Sequence, residues 1–164
     1  MIINKTFKEE NIPEEVEKPE DEINFKVTLF NNVIEYIDTK THVFIAKYEN
    51  EIIGSIAYGI ANGDILELSN NALSDMIEIG SIYVHPKFQG LGVSKHLIKY
   101  VLNILSIKNV RTFCLDSGYE KAQSIWYHLF KEPYLVSENH WSVNKAHIIW
   151  VCDVHETLSR LNQK

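Results

Sequence analysis

Apolar and polar positions repeat regularly along most of the chain, and the repeat length assigns the elements. His42–Tyr48 and Ile52–Ile60 are apolar runs on either side of the polar Glu49-Asn50-Glu51, which predicts two strands joined as a hairpin. Met76–Val84 is the clearest strand, and Pro86, unable to donate to a ladder, marks its end. From Ser94 to Leu105 the period changes: Leu97, Ile98, Val101, Leu102 and Leu105 fall on one stripe of a helix. A strand over Val110–Leu115, a turn at Asp116-Ser117-Gly118 and a helix over Glu120–Leu129 follow. Tyr134–Trp141 and His147–Val154 form a closing pair of strands, and Glu156–Gln163 is polar with some helical character. Upstream, residues 22–38 place Phe30, Val33, Ile34 and Ile37 at helical spacing, and residues 1–7 read as a short edge strand. The acidic stretch 8–21, with Pro13 and Pro19, is a loop or a first helical turn near Ile12–Val16. Residues 61–75 read as a loop, with Ile65–Leu68 as a candidate strand extension.

The order is a hairpin, then strand–loop–helix–strand–helix, then two more strands. Its middle unit is a βαβ crossover, so part of the sheet is expected to be parallel and the hairpins make the remainder antiparallel. The 164 residues are expected to form one domain, residues 1–164, with a hydrophobic core.

Charge and cysteine content narrow the chemistry. The formal net charge is −6, which weighs against sequence-independent nucleic-acid binding and favours a cationic small substrate or a basic peptide. Much of the excess acid lies between Glu9 and Glu22. Cys114 and Cys152 sit in apolar runs without CxxC spacing, so they are expected as buried thiols rather than zinc ligands or a redox pair. The seven histidines include no HExxH or paired spacing, and no metal is expected. No apolar run approaches the roughly 18 residues of a membrane helix, and the start lacks a signal-peptide pattern. A cytoplasmic protein without a membrane partner is therefore expected.

The strongest chemical signal is the passage from the strand ending at Val84, through Gln89-Gly90-Leu91-Gly92-Val93-Ser94-Lys95, into an amphipathic helix. Glycine lets successive backbone N–H groups turn one way, and the helix adds unpaired N–H groups and the positive end of its dipole. Together they make a cradle for a pyrophosphate. A Walker loop would need GK[ST] after a four-residue spacer, and a dinucleotide fold would need G-x-G-x-x-G; neither occurs.

This segment resembles motif A of the GNAT superfamily of acetyltransferases, [Gln/Arg]-x-x-Gly-x-[Gly/Ala], with Gln89, Gly92 and Ser94 at its three defined positions. Ser94 departs from the usual Gly or Ala. Its hydroxyl is small enough to cap the helix or touch a phosphate. The resemblance spans residues 42–154 in element order, while its specific motif covers about 76–105. It implies a mixed, mostly antiparallel α/β sheet flanked by helices on both faces, with a V-shaped splay between two central parallel strands. It implies acetyl-CoA as co-substrate, with its pyrophosphate on residues 89–94 and its pantetheine arm along Ile82, Tyr83 and Val84, near Lys95. Gly80 is either a packing glycine or a bulge that serves the splay.

Amine acetylation needs a neutral amine, a donor for the thioester oxygen and a proton for the departing thiolate. Glu78, on an otherwise apolar strand, is the candidate base; the alternative is a solvent-facing strand-edge glutamate. The family often supplies the acid as a tyrosine in a pattern like Ala-x-x-Leu-Tyr. Aligning on Ala122 places Trp126 there and Tyr127 one residue later; an indole N–H is not a practical acid, so Tyr127 is the candidate acid, and the alternative is that Tyr127 packs in the core while Trp126 lines the slot. The family's asparagine before this helix is missing, with Ser117 or Tyr119 as substitutes, and its Gly-Phe after the helix is replaced by Phe130-Lys131-Glu132-Pro133. The aromatics of Tyr134–Trp141 either line an acceptor pocket or pack in the sheet. The expected function is transfer of acetyl from acetyl-CoA to a primary amine. The rivals are a non-catalytic acyl-CoA-binding module, a longer acyl donor and a pure interaction domain. Dimers are common among proteins this one resembles, so a homodimer is a further expectation.

Overall fold

The computed structural model describes residues 40–48 and 51–163. The elements expected within residues 1–39, and the acidic segment among them, lie outside the described residues. The described elements are β1 (His42–Tyr48), β2 (Glu51–Ile60), α1 (Gly63–Leu68), β3 (Ile77–Val84), a 3-10 turn at Pro86–Phe88, α2 (Val93–Ile107), β4 (Thr112–Ser117), α3 (Glu120–Phe130), β5 (Leu135–Ser142), β6 (Lys145–Asp153) and α4 (Val154–Asn162). The six strands form a mixed sheet in the order β1-β2-β3-β4-β6-β5. β3 and β4 are the expected parallel pair, joined at Ile77–Phe113 and Glu78–Cys114. β4 with β6, and β6 with β5, are antiparallel.

The described residues cluster into two compact units: one takes in those up to Ala57 with Ser81–Leu97, the other Tyr58–Gly80 with the described residues from Ile98 onward. In the first, the His85 amide donates to the Ile53 carbonyl at 2.9 Å and the Ser55 hydroxyl to the Ser81 carbonyl at 3.3 Å. These bonds tie the start of β2 to the end of β3. The Tyr48 and Phe88 rings lie 5.8 Å apart, packing β1 against the 3-10 turn.

The second unit has a core of Ala61, Ile65, Leu73, Cys114 and Ile149, with Leu66, Met76 and Val151 packed against it. Phe113, Trp126 and Phe130 add an aromatic cluster with ring separations of 6.0 and 5.7 Å. The stripe predicted on α2 is buried from Leu97 to Leu105. Removing such a side chain typically costs about 2–5 kcal/mol, so this stripe anchors the helix. Both cysteines are buried free thiols, as expected. Burial pushes each up to about 12, so both stay protonated at neutral pH.

Three expectations are corrected. Ile65–Leu68 belongs to a helix rather than a strand: the Asn62 side chain accepts from the Ile65 amide at 3.0 Å and caps α1. So short an apolar run carries no readable period. β4 begins two residues late and runs through Asp116 and Ser117, which had read as a turn. Val110 still bonds back to Leu105 at the exit of α2, while β6 pairs with every residue from Thr112 to Ser117. The irregular backbone in β3 lies at Ser81, with φ of 52°, rather than at Gly80. Among the described residues no helix is long and apolar enough to cross a membrane.

Candidate active site

The glycine loop is built by short-range bonds in the first unit. The Phe88 amide donates to His85 O at 2.8 Å and the Gln89 amide to Pro86 O at 3.1 Å, closing the turn that proline starts. The Gln89 side chain reaches back to the Val84 carbonyl at 3.1 Å, fixing the loop to the end of β3. Gly90 and Gly92 then take φ of 75° and 81°, the left-handed region that side chains disfavour. The first intrahelical bond of α2 runs from the His96 amide to Gly92 O at 3.1 Å. The amides of Val93, Ser94 and Lys95 precede it and have no partner within the helix. Left-handed glycines leading into a helix N-terminus gather N–H groups and dipole toward an anion. Two details differ from expectation. The Gln89 amide is bound inside the turn, and Ser94 lies within the first helical turn, so its hydroxyl does not cap α2. Ile82, Tyr83 and Val84 close β3 as half-buried residues, and Leu91 is exposed.

The carboxylates lie in the second unit. Glu78, half-buried on β3, accepts the Asn62 amide at 2.7 Å through Oε2. A Cβ on Gly80 would come within 2.5 Å of Glu78 Oε1, so the glycine leaves room for the carboxyl. Burial, and then the charge of Asp116, raise Glu78 to about 7; hydrogen bonds from Asn62 hold it down and Asp64 raises it slightly. A carboxyl poised there exchanges a proton near neutrality, as a general base must.

Residues that sequence reasoning missed surround it. Asn62 Nδ2 donates to Asp116 Oδ2 at 3.2 Å, and His147 Nε2 lies 2.7 Å from the same oxygen. Trp141 Nε1–H, which can only donate, points to His147 Nδ1 at 3.0 Å. Nδ1 must therefore accept, which puts the neutral ring's proton on Nε2, where it donates to Asp116. Ligand atoms of Asp64, Asp116 and His147 lie within 4.8 Å of one another. With both its nitrogens engaged in this way, the neutral imidazole has no lone pair for a cation. The register of β4 against β6 alone brings Asp116 and His147 together; along the chain they had read as a turn residue and a strand end.

On α3 the ambiguous pair is separated. Trp126 is buried against Phe130, whereas Tyr127 is 42% exposed and stands edge-on to Trp150 at 5.4 Å. Ser117 is buried, and its hydroxyl accepts the Tyr119 amide at 3.1 Å, holding the entry to α3. Gln123 reinforces that entry through bonds to the Ser117 and Ala146 carbonyls.

The profile of the acetyltransferase (GNAT) family matches residues 3–129. A sequence comparison with curated proteins finds no match. Among solved structures, a GNAT-family protein from Desulfovibrio desulfuricans matches with a TM-score of 0.65 at 14% identity, over 93% of this chain and 91% of that one. Aminoglycoside 6′-acetyltransferase type Ii matches with a TM-score of 0.59 at 14% identity, over 93% and 85%. A GNAT family acetyltransferase from Elizabethkingia anophelis with acetyl-CoA bound matches with a TM-score of 0.53 at 18% identity, over 75% and 82%. At these identities the likenesses establish the fold.

Proposed function

The chain belongs to the GNAT family of acetyltransferases, and on that premise we propose that it moves the acetyl group of acetyl-CoA directly to a primary amine. In this reading the amides of residues 90–95 hold the coenzyme's pyrophosphate and the end of β3, Ile82–Val84, lies along its pantetheine arm. Glu78 takes the proton from the ammonium form of the acceptor. The freed nitrogen attacks the thioester carbonyl carbon; the new N–C bond forms, the nitrogen gives its second proton to solvent, the C–S bond breaks and the thiolate leaves. Tyr127, the half-exposed residue of the α3 pair, supplies the thiolate's proton. Trp126 and Ser117 support α3 from within. Holding the two reactants in line supplies much of the rate.

The observation that carries this reading is Glu78 itself: a carboxyl raised to about 7, held by Asn62, on the strand that leads into the glycine loop. The acetyl-CoA bound in the Elizabethkingia structure supports acetyl-CoA as the donor, and the similarity to an aminoglycoside 6′-acetyltransferase supports a cationic amine as acceptor. The test is calorimetric titration with acetyl-CoA, followed by thiol release with a panel of amines. Micromolar binding with amine-dependent thiol release supports the reading. Failure to bind acetyl-CoA sinks it. Binding without turnover by any amine favours a non-catalytic acyl-CoA module, the reading that a buried tryptophan at the family's tyrosine position keeps in play.

A further inference from the structure

Behind Glu78 runs a chain of hydrogen bonds that the proposed reaction does not itself require. It passes from Trp141 to His147, from His147 to Asp116, and from Asn62 both to Asp116 and to Glu78. His147 is 4% exposed, and Asp116 accepts two donors through one oxygen. Asn62 is the joint: its side-chain oxygen caps α1, its Nδ2 holds Asp116 and its backbone amide holds Glu78. Asp116 and Glu78 are therefore held by the same residue.

We propose that Asp116, locked in place by His147 and Asn62, is a positioning residue for the acetyl transfer: it holds Asn62, the residue that in turn holds the Glu78 carboxyl. This deepens the assignment of Glu78 as base and rests on it. Among the described residues, the groups facing Glu78 are few. From β4 come Asp116 and Cys114, the latter a protonated thiol; from α1 come Asp64 and the Asn62 amide; β6 contributes His147, through Asp116. Asp116 is the largest charge effect among them and Asn62 the opposing hydrogen-bond donor. The two residues therefore act on Glu78 with opposite signs, which a merely structural role would not produce. Proton loss from Glu78 turns the base on, so Asp116 places the working pH window near neutrality and Asn62 keeps it from drifting higher.

The test uses full-length protein labelled with glutamate carrying ¹³C at the side-chain carboxyl, titrated by NMR, with the Glu78 signal assigned from Glu78→Gln. Asp116→Asn keeps an oxygen for both donors and removes the charge. The Glu78 midpoint is expected to fall by about one pH unit. Asn62→Ala keeps the backbone N–H on Glu78 but removes the side-chain amide, which also lowers Glu78, and is expected to raise the midpoint. In thiol release from acetyl-CoA with spermidine as the acceptor, the acid limb of kcat/KM is expected to move in the same two directions. An unchanged midpoint in Asp116→Asn, or shifts of the same sign in both variants, overturns the proposal. So does a midpoint that moves while the acid limb stays. If Glu78→Gln turns over like the parent, the base assignment fails instead, and the NMR midpoints still decide whether Asp116 controls Glu78.

Discussion

Glu78 places its carboxyl where Gly80 has no side chain: a Cβ at position 80 would lie 2.5 Å from Glu78 Oε1. The two residues are neighbours on one face of β3, since side chains two apart on a strand point the same way. The missing Cβ lets the glutamate fold over its own strand and reach the Asn62 amide. Gly80→Ala is expected to push the carboxyl off that amide. On the proposed mechanism kcat falls toward the level of Glu78→Gln, while the Kd for acetyl-CoA by calorimetry stays within twofold. A parent-like kcat in Gly80→Ala would show that the carboxyl's position is unimportant to turnover.

Glu78→Gln separates catalysis from stability through pH. With a carboxyl raised from 4.5 to about 7, activity rises with pH through about 7 as the base ionises. Removing it costs about 10²–10⁴-fold in kcat/KM and abolishes that limb. The stability effect has the opposite sense. The folded state holds this proton more tightly than the unfolded chain, so the contribution is fully present below pH 4.5 and is lost as pH rises through about 7. Above that, ionised Glu78 destabilises by up to about 3 kcal/mol, less where water reaches the half-buried group. Glu78→Gln is therefore expected to be more stable than the parent in urea at pH 8 and to lose that advantage near pH 4.5.

Gly92→Glu addresses the loop. Position 92 has φ of 81°, which a side chain adopts at a cost of roughly 1–2 kcal/mol, and the new carboxylate would face any bound phosphate. Acetyl-CoA affinity is expected to fall about a hundredfold or more by calorimetry. Far-UV circular dichroism is expected to stay unchanged, because a Cβ there meets only the His96 ring, at 3.8 Å.

Lys131 closes α3 with φ of 69° and ψ of −130°, a backbone conformation suited to glycine. Its carbonyl nevertheless accepts the Trp150 indole at 3.2 Å, so the residue is held there by the fold. Lys131→Gly is expected to stabilise the protein by about 1 kcal/mol and to raise Tm by a few degrees in a thermal melt. A lower Tm would mean that the lysine side chain contributes more than its backbone costs.

The chain's own pattern determined most of the fold and the glycine loop. The strand ending at Val84, the glycine pair and the amphipathic α2 are contiguous, so local backbone preference and one helical stripe suffice to read them. Glu78 was legible for a similar reason: a lone acid in an apolar strand is conspicuous. The partners of Glu78 were not legible. Asn62 sat in a polar stretch that gave no sign of a helix cap, and Asp116 lay in an Asp-Ser-Gly sequence with every local mark of a turn. Only the pairing of β4 with β6 keeps Asp116 in a strand and sets it beside His147. The choice between Trp126 and Tyr127 as the buried residue was also left to packing, since one helical residue turns the side chain by about 100°. Motifs local in sequence follow from the residues themselves, whereas proton affinity depends on burial and on charges brought together from distant strands, and those exist only in the folded chain.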